Sequence, residues 1–259
     1  MLNKLKSSLE ILRQTKPLVL NLTNYVTMDF VANCLLSVGA APIMSEDIKE
    51  IEDLIQISSA VHVNIGTLTA EFIERAVFAC KIAKKYNKPI VLDPVGVGAS
   101  YIRMEAAKEL LVFADILRGN ASEVMAVYGL ASKELGVESA HQVTDALEAA
   151  RGLALEYKIT VIVSGVEDFI TDGTREQILK FGSNLMPLIT GTGCSLTAMI
   201  AAFRAVISDS FEASLLATAY FGLTGQIAAG AAKGPGSFRV LFIDNLYQAN
   251  WEKMKELLS

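Results

Sequence analysis

Short apolar runs alternate with longer stretches of helical periodicity along most of this chain. Leu18-Val-Leu-Asn-Leu22, Ala41-Pro-Ile-Met44, Ala60-Val-His-Val-Asn-Ile65, Pro89-Ile-Val-Leu-Asp93, Asp115-Ile-Leu117 and Thr160-Val-Ile-Val-Ser164 read as strands. Between them, apolar residues recur every three or four positions. Thr27 to Val38 puts Val31, Leu35 and Val38 on one side. Ser45 reads as an N-cap for Glu46 to Ile57, with Ile48, Ile51, Leu54 and Ile55 facing inward. Thr69 to Tyr86, Tyr101 to Phe113 and Thr144 to Tyr157 are similar. Nearly continuous apolar strands separated by helices predict a mostly parallel sheet between two helical layers. Later the pattern changes. Phe169 to Lys180 reads as a hairpin around Asp172-Gly173, a pair that favours a type I′ turn. Beyond Cys194 the chain reads as almost wholly helical. No linker or repeat divides the 259 residues, so one α/β domain spanning 1–259 is expected.

Composition refines this picture. Hydrophobic content is 52% and mean hydropathy +0.39, so a membrane segment has to be considered. Ala213 to Ala232 carries no charge and is long enough to span a bilayer. Its many Ala, Gly, Ser and Thr residues, with Gln226 among them, suit instead a helix packed closely in a protein core. The N-terminal Met1-Leu-Asn-Lys-Leu-Lys-Ser has no apolar h-region and is not expected to be a signal peptide. The net charge of −5 and the absence of a basic cluster argue against a nucleic-acid partner. Cys34, Cys80 and Cys194 form no CxxC, which fits a cytoplasmic protein without disulfides. His62 and His141 lack metal-ligand spacing, so zinc is not expected.

Candidate chemistry concentrates at Thr190-Gly191-Thr192-Gly193-Cys194, followed at once by the apolar run Ser195-Leu-Thr-Ala-Met-Ile-Ala-Ala-Phe203. A glycine turn opening a helix directs backbone N–H groups and the positive end of the helix dipole at one point, which suits phosphate. The same dipole favours the Cys194 thiolate. The alternative is a glycine turn before a buried helix, with the Cys a small apolar residue. In parallel sheets ligands bind beyond the carboxyl ends of the strands. Asn21 to Asn24, Met44-Ser45, Asn64-Ile-Gly66, Asp93-Pro-Val-Gly-Val-Gly98, Arg118-Gly-Asn-Ala-Ser-Glu123 and Ser164-Gly-Val-Glu-Asp168 all fall there. Asp93 can hold Mg²⁺ or its water shell, or be a solvated or capping Asp. Asn120 to Glu123 has the spacing of a capping box, a role compatible with a ligand-binding one. Arg118 can contact a triphosphate or make a surface ion pair.

Together these segments resemble the hydroxyethylthiazole kinase family of the ribokinase-like superfamily. The resemblance is carried by Thr23-Asn-Tyr-Val26 with Ala32-Asn33, Leu92-Asp-Pro-Val-Gly-Val-Gly-Ala99, Arg118-Gly-Asn-Ala-Ser-Glu123, Gly191-Thr-Gly-Cys194 and Gly234-Pro-Gly-Ser-Phe238. It implies a three-layer α/β/α fold and phosphoryl transfer from ATP, with Mg²⁺, to the alcohol of 4-methyl-5-(2-hydroxyethyl)thiazole in thiamine salvage. Carried over residue by residue, Met44 and Gly191 contact the thiazole, and Asn24 and Gly66 line its pocket. Arg118, Ser164 and Asn120 fall on ATP positions, and Asp93 and Glu123 serve the magnesium shell. Cys194 stands where most ribokinase-like enzymes carry a catalytic Asp. The resemblance also implies a cytoplasmic homotrimer with pockets between subunits. The chain departs from the family at Asn21-Leu22, where His-Cys is frequent, and at Ser164, where Thr is usual. Met28, Leu35 and Phe203 are candidates for subunit-facing surface. Other expectations compatible with the segments are a pyrimidine or pyridoxal kinase, an ADP-dependent lyase and a non-catalytic nucleotide sensor.

Overall fold

The computed structural model describes residues 1–129 and 140–259, without the side chains of 140–144. Among the described residues one sheet forms from β1 (Leu18–Leu22), β2 (Ala41–Met44), β3 (Ala60–Asn64), β4 (Ile90–Asp93), β5 (Ile116–Asn120), β6 (Thr160–Ser164), β7 (Asp168–Thr171) and β8 (Glu176–Leu179). The order is β2-β1-β3-β4-β5-β6-β7-β8, parallel from β2 to β6, with β7 and β8 antiparallel. The helices are α1 (Leu2–Thr15), α2 (Met28–Val38), α3 (Ile51–Ile57), α4 (Ala70–Lys85), α5 (Tyr101–Leu111), α6 (Ala121–Tyr128), α7 (Ala140–Tyr157), α8 (Thr192–Val206), α9 (Ser210–Ala229), α10 (Pro235–Gln248) and α11 (Trp251–Leu257).

The two-residue period of the strands divides the core in two. Val19, Ala60, Val91, Ile116 and Ile162 pack with α1, α2 and α8 to α11. Their neighbours Leu20, Val61, Leu92, Leu117 and Val161 pack on the opposite face with α3 to α7. This is the expected mostly parallel sheet between helical layers. The direction of travel reverses after β2: β1 leads outward to β2, and β3 returns to the other side of β1. The connecting helices α2 and α4 lie on opposite faces, which opens a crevice beyond the carboxyl ends of β1 and β3. The N-terminus of α8 enters on the first face, packing over β3, β4 and β1.

Several local expectations change. The N-terminal segment forms α1, whose Leu5, Leu9 and Leu12 are buried at i, i+4 and i+7. Ser45 does not cap a helix: α3 starts at Ile51, and the Ser45 hydroxyl donates instead to Glu50 Oε1 at 2.5 Å. Ile48 therefore lies outside the helix and is exposed. The Phe169–Lys180 hairpin exists, but its loop spans four residues between Thr171 and Glu176. Only Gly173 has positive φ there, so the turn is not type I′, which needs two such residues. Asp172 Oδ1 holds the loop by accepting from the Thr174 and Arg175 amides. The Thr144–Tyr157 stretch falls within α7; the side chains of His141 and Thr144 lie outside those described. Leu35 and Phe203 are buried inside this chain and are not subunit-facing. Ala213 to Ala232 supplies most of α9, whose Leu216, Tyr220 and Leu223 are buried. Among the described residues no helix is long and apolar enough to cross a membrane.

Candidate active site

Strand parity places the polar strand ends. Met44, Asn64, Asp93, Arg118, Asn120 and Ser164 alternate with residues of the α3–α7 core, so all belong to the face that α8 covers. Each is the last or near-last residue of its strand, and together they form a strip across the sheet.

Gly191 turns the chain into α8 with φ +91°, a left-handed conformation that glycine adopts without strain. A Cβ there would lie 3.0 Å from two carbons of Thr27 at the head of α2. No side chain caps α8, so the first-turn amides of Gly193 and Cys194 face outward without an intrahelical acceptor. The Arg118 guanidinium lies against this end: a Cβ on Gly193 would be 2.6 Å from its Nη1. Arg118 Nε donates to Ser164 Oγ at 2.9 Å, and Nη1 is 4.0 Å from Asp93 Oδ2. A fixed cation and uncapped helix amides thus converge, which suits a phosphate rather than a neutral group.

Asp93 is fully buried. Its Oδ2 accepts from Asn64 Nδ2 at 3.0 Å and from Thr197 Oγ1 at 2.7 Å, while Oδ1 has no partner. Desolvation raises its pKa from 3.8 to about 6, and Glu123 pushes the same way against the downward pull of Arg118, Thr197 and Asn64. An unpartnered, desolvated carboxylate oxygen fits a cation better than it fits an empty core. Among the described residues no group of three His, Cys, Asp or Glu could hold a metal. One or two carboxylates completed by water and phosphate oxygens is the usual magnesium arrangement in such sites.

Glu123 and Asn120 form the capping box that their spacing allowed. Asn120 Oδ1 accepts from the Glu123 amide at 2.9 Å, and Glu123 Oε2 from the Asn120 amide at 2.8 Å. Glu123 Oε1 also accepts from the Gly96 amide at 2.8 Å, tying the loop after Asp93 to α6. Asn120, at the end of β5, is exposed, and the strip runs from Met44 on the edge strand β2 to Ser164 on β6.

Asn24 is buried and donates from Nδ2 to Asn64 Oδ1 at 2.9 Å and to Cys194 Sγ at 3.5 Å. Gly66 lies under it, and a Cβ there would be 2.9 Å from the Asn24 amide. Cys194 is half-buried, and its thiol pKa is raised above 9.0, first by desolvation and then by the Asp93 charge. Contacts with Thr27, Asn64 and Asn24 offset this only in part. The expected thiolate is therefore not favoured, because burial beside a carboxylate outweighs the helix end.

Sequence reasoning missed Thr197 and Arg103 here, and gave Asn64 and Asp168 only as members of strand-end segments without a role. Asn64 and Thr197 fix Asp93. Arg103 clamps the loops after β3 and β4, donating to the Ile65, Gly66 and Val95 carbonyls at 2.8–2.9 Å. Asp168 lies near Arg118 and Ser164, and burial raises its carboxyl to about 6. Strand parity was the available signal for Asn64; the helical Thr197 and Arg103 gave none. Two cavities of about 330 and 300 Å³ lie away from the strip, one beside Ile73 and Phe78, the other beside Lys4 and Phe211.

The hydroxyethylthiazole kinase family matches residues 9–252. The chain belongs to that family. The hydroxyethylthiazole kinase of Chlamydia felis (strain Fe/C-56) is 48% identical over 257 residues, covering 98% of each chain. The structure of the hydroxyethylthiazole kinase protein from Pyrococcus horikoshii OT3 superposes with TM-score 0.90 at 36% identity, covering 98% of this chain and 96% of that one. A ribokinase-like superfamily protein from Enterococcus faecalis V583 shares the fold with TM-score 0.69 at 14% identity, over 92% and 86% of the two chains. As a member of this kinase family with a ribokinase-like fold, the chain is an enzyme, and the rival readings as a lyase or a nucleotide sensor fall away.

Proposed function

We propose that this enzyme transfers the γ-phosphoryl group of ATP to the primary alcohol of 4-methyl-5-(2-hydroxyethyl)thiazole, a step of thiamine salvage, through the strip described above. The observation that carries the reading is the convergence of the Arg118 guanidinium, the uncapped Gly193 and Cys194 amides and the buried Asp93 at one point. Phosphoryl transfer needs positioning and charge neutralisation more than covalent help. Arg118, steadied by Ser164, would hold the triphosphate together with Asn120. The α8 amides would receive the charge on the transferring group. Asp93, and Glu123 through water, would hold Mg²⁺, which neutralises phosphate charge when bound.

On the other side of Cys194, Asn24 and Gly66 would line the alcohol pocket, with Gly191 and Met44 against the thiazole. A neutral thiol cannot accept the alcohol proton outright, so Cys194 would mainly orient the hydroxyl. The proton would leave late, after the new P–O bond has largely formed, passing to an oxygen of the transferred phosphoryl group and from there to water. We also read the enzyme as a cytoplasmic homotrimer of single-domain subunits, with a second copy completing each alcohol pocket. Met44 on an open edge strand and the exposed Tyr25 and Val26 beyond β1 support that reading. So do the three free thiols for the compartment.

The test is ADP release with Mg-ATP against a panel of thiazole, pyrimidine and pyridine alcohols. The thiazole alcohol should give the highest kcat/KM. Turnover of a pyridine or pyrimidine alcohol with none of the thiazole would overturn the proposal, as would nucleotide binding without turnover.

A further inference from the structure

Asn64 is fully buried at the last position of β3 and makes three hydrogen bonds with one planar amide. Its Oδ1 accepts from the Gly66 amide at 3.0 Å and from Asn24 Nδ2 at 2.9 Å, and its Nδ2 donates to Asp93 Oδ2 at 3.0 Å. Two of these partners fix the polarity. A backbone N–H can only donate, and an ionised carboxylate can only accept. The residue between them must therefore present an acceptor to the alcohol side and a donor to the Asp93 side. Aspartate cannot donate, leucine can do neither, and histidine would not match the fork. Asparagine fits both demands without a rotation.

The contacts continue on both sides. Asn24, held by Asn64, donates onward to Cys194 Sγ. Asp93 also accepts from Thr197, one turn after Cys194 on α8, and Thr197 Oγ1 bonds back to the Gly193 carbonyl at 3.2 Å. A closed ring results: Cys194, Asn24, Asn64, Asp93, Thr197 and the first turn of α8. Asn64 is the member of it that joins the end of β3 to the ends of β1 and β4.

We propose that Asn64 is a positioning residue that locks Asn24, Gly66 and Cys194 on the alcohol side to Asp93 on the phosphate side. It acts through these groups and fixes their spacing, rather than touching the reacting atoms. This inference rests on the phosphoryl-transfer reading for its kinetic consequence only; the ring itself can be probed without substrate. Displacements of the order of 1 Å at reacting groups cost about 10²-fold in rate.

Three variants test it: Asn64→Leu, Asn64→Asp, and the double variant Asn64→Asp with Asp93→Asn, which exchanges amide and carboxylate. In Asn64→Leu, kcat should fall about 10–100-fold with the KM for ATP changed less than about threefold. Without substrate, the alkylation rate of its Cys194 should change at least severalfold, while Cys34 and Cys80 stay protected and report an intact core. Asn64→Asp should lower Tm, because two carboxylates then face each other with no donor between them. Beyond the gain that Asp93→Asn gives alone, the double variant should recover more than half of that loss, since the amide moved to the end of β4 can donate to the carboxylate moved to the end of β3. The proposal is overturned if Asn64→Leu keeps kcat and Cys194 reactivity within twofold of wild type. It is equally overturned if all three thiols open together, or if the double variant recovers no Tm beyond what Asp93→Asn gains alone. The alkylation and melting results stand even if the wild-type enzyme proves inactive on the thiazole alcohol, which would count against the activity and not against the ring.

Discussion

Replacing Asp93 by asparagine is expected to stabilise the ligand-free enzyme while abolishing its activity. Asp93 is fully buried, and its pKa rises from 3.8 to about 6. An acid whose folded pKa lies above its unfolded value destabilises the fold where it is ionised. The penalty is absent below about pH 4, grows between the two values and is complete above about pH 6. At about 1.4 kcal/mol per pK unit, the full penalty is roughly 3 kcal/mol, with about half remaining at pH 5. The asparagine carbonyl can still accept from Asn64 and Thr197, and its NH₂ replaces the oxygen that has no partner. An unsatisfied amide keeps some cost, so a net gain of about 1–3 kcal/mol is expected at pH 8. Urea unfolding of both proteins in EDTA at pH 8, 6, 5 and 4.5 measures it. A variant no more stable than wild type at pH 8, or a difference that does not shrink as pH falls, would refute the reasoning.

Three further outcomes follow from the same geometry. Cys194→Ala should lower kcat by about 10²-fold, the low end for a positioned acid or base, because the thiol is protonated and mainly orients; Cys194→Asp should remain active, and steady-state ADP release measures both. Iodoacetamide at pH 7.5 should label Cys194 slowly and leave Cys34 and Cys80 unlabelled, since burial pushes both of those thiols up to about 12; peptide mass spectrometry before and after unfolding distinguishes them. Gly191→Ala combines a left-handed backbone with a 3.0 Å approach to Thr27. It should cost about 1–2 kcal/mol of stability by the backbone term alone and reduce kcat by displacing the α8 amides, as melting and rate measurements would show.

Much of this was legible in the sequence, for reasons that differ from element to element. β1, β3, β4 and β6 announce themselves because both faces are buried and the apolar runs are nearly continuous, and the half-buried edge strand β2 because Ala41 to Met44 is wholly apolar. β5 was legible only to Leu117, since Arg118-Gly-Asn120 is polar yet still carries the ladder beside β6. Helix α3 was overextended because Ile48 continues its period, although Ser45 finds a better partner in Glu50. The capping box at Asn120–Glu123 was readable because both of its bonds are local. Asn64, Thr197 and Arg103 were not, because their roles depend on partners 29, 104 and about 30–40 residues distant, which no local pattern encodes. The state of Cys194 was misjudged for the same reason: its opponents, burial and Asp93, come from elsewhere in the chain.

The alternation that divides the core also makes the site sensitive to a particular kind of damage. Each parallel strand from β3 to β6 delivers its functional side chain from the last few residues, on one face only. A single inserted or deleted residue within such a strand turns that side chain into the opposite helical layer. The apolar positions invert with it, so the strand cannot keep both its core packing and its contribution to the strip. Substitution can tune this enzyme one contact at a time. Changes in strand length cannot, and tolerated length variation should be confined to the connections on the amino-terminal side of the sheet.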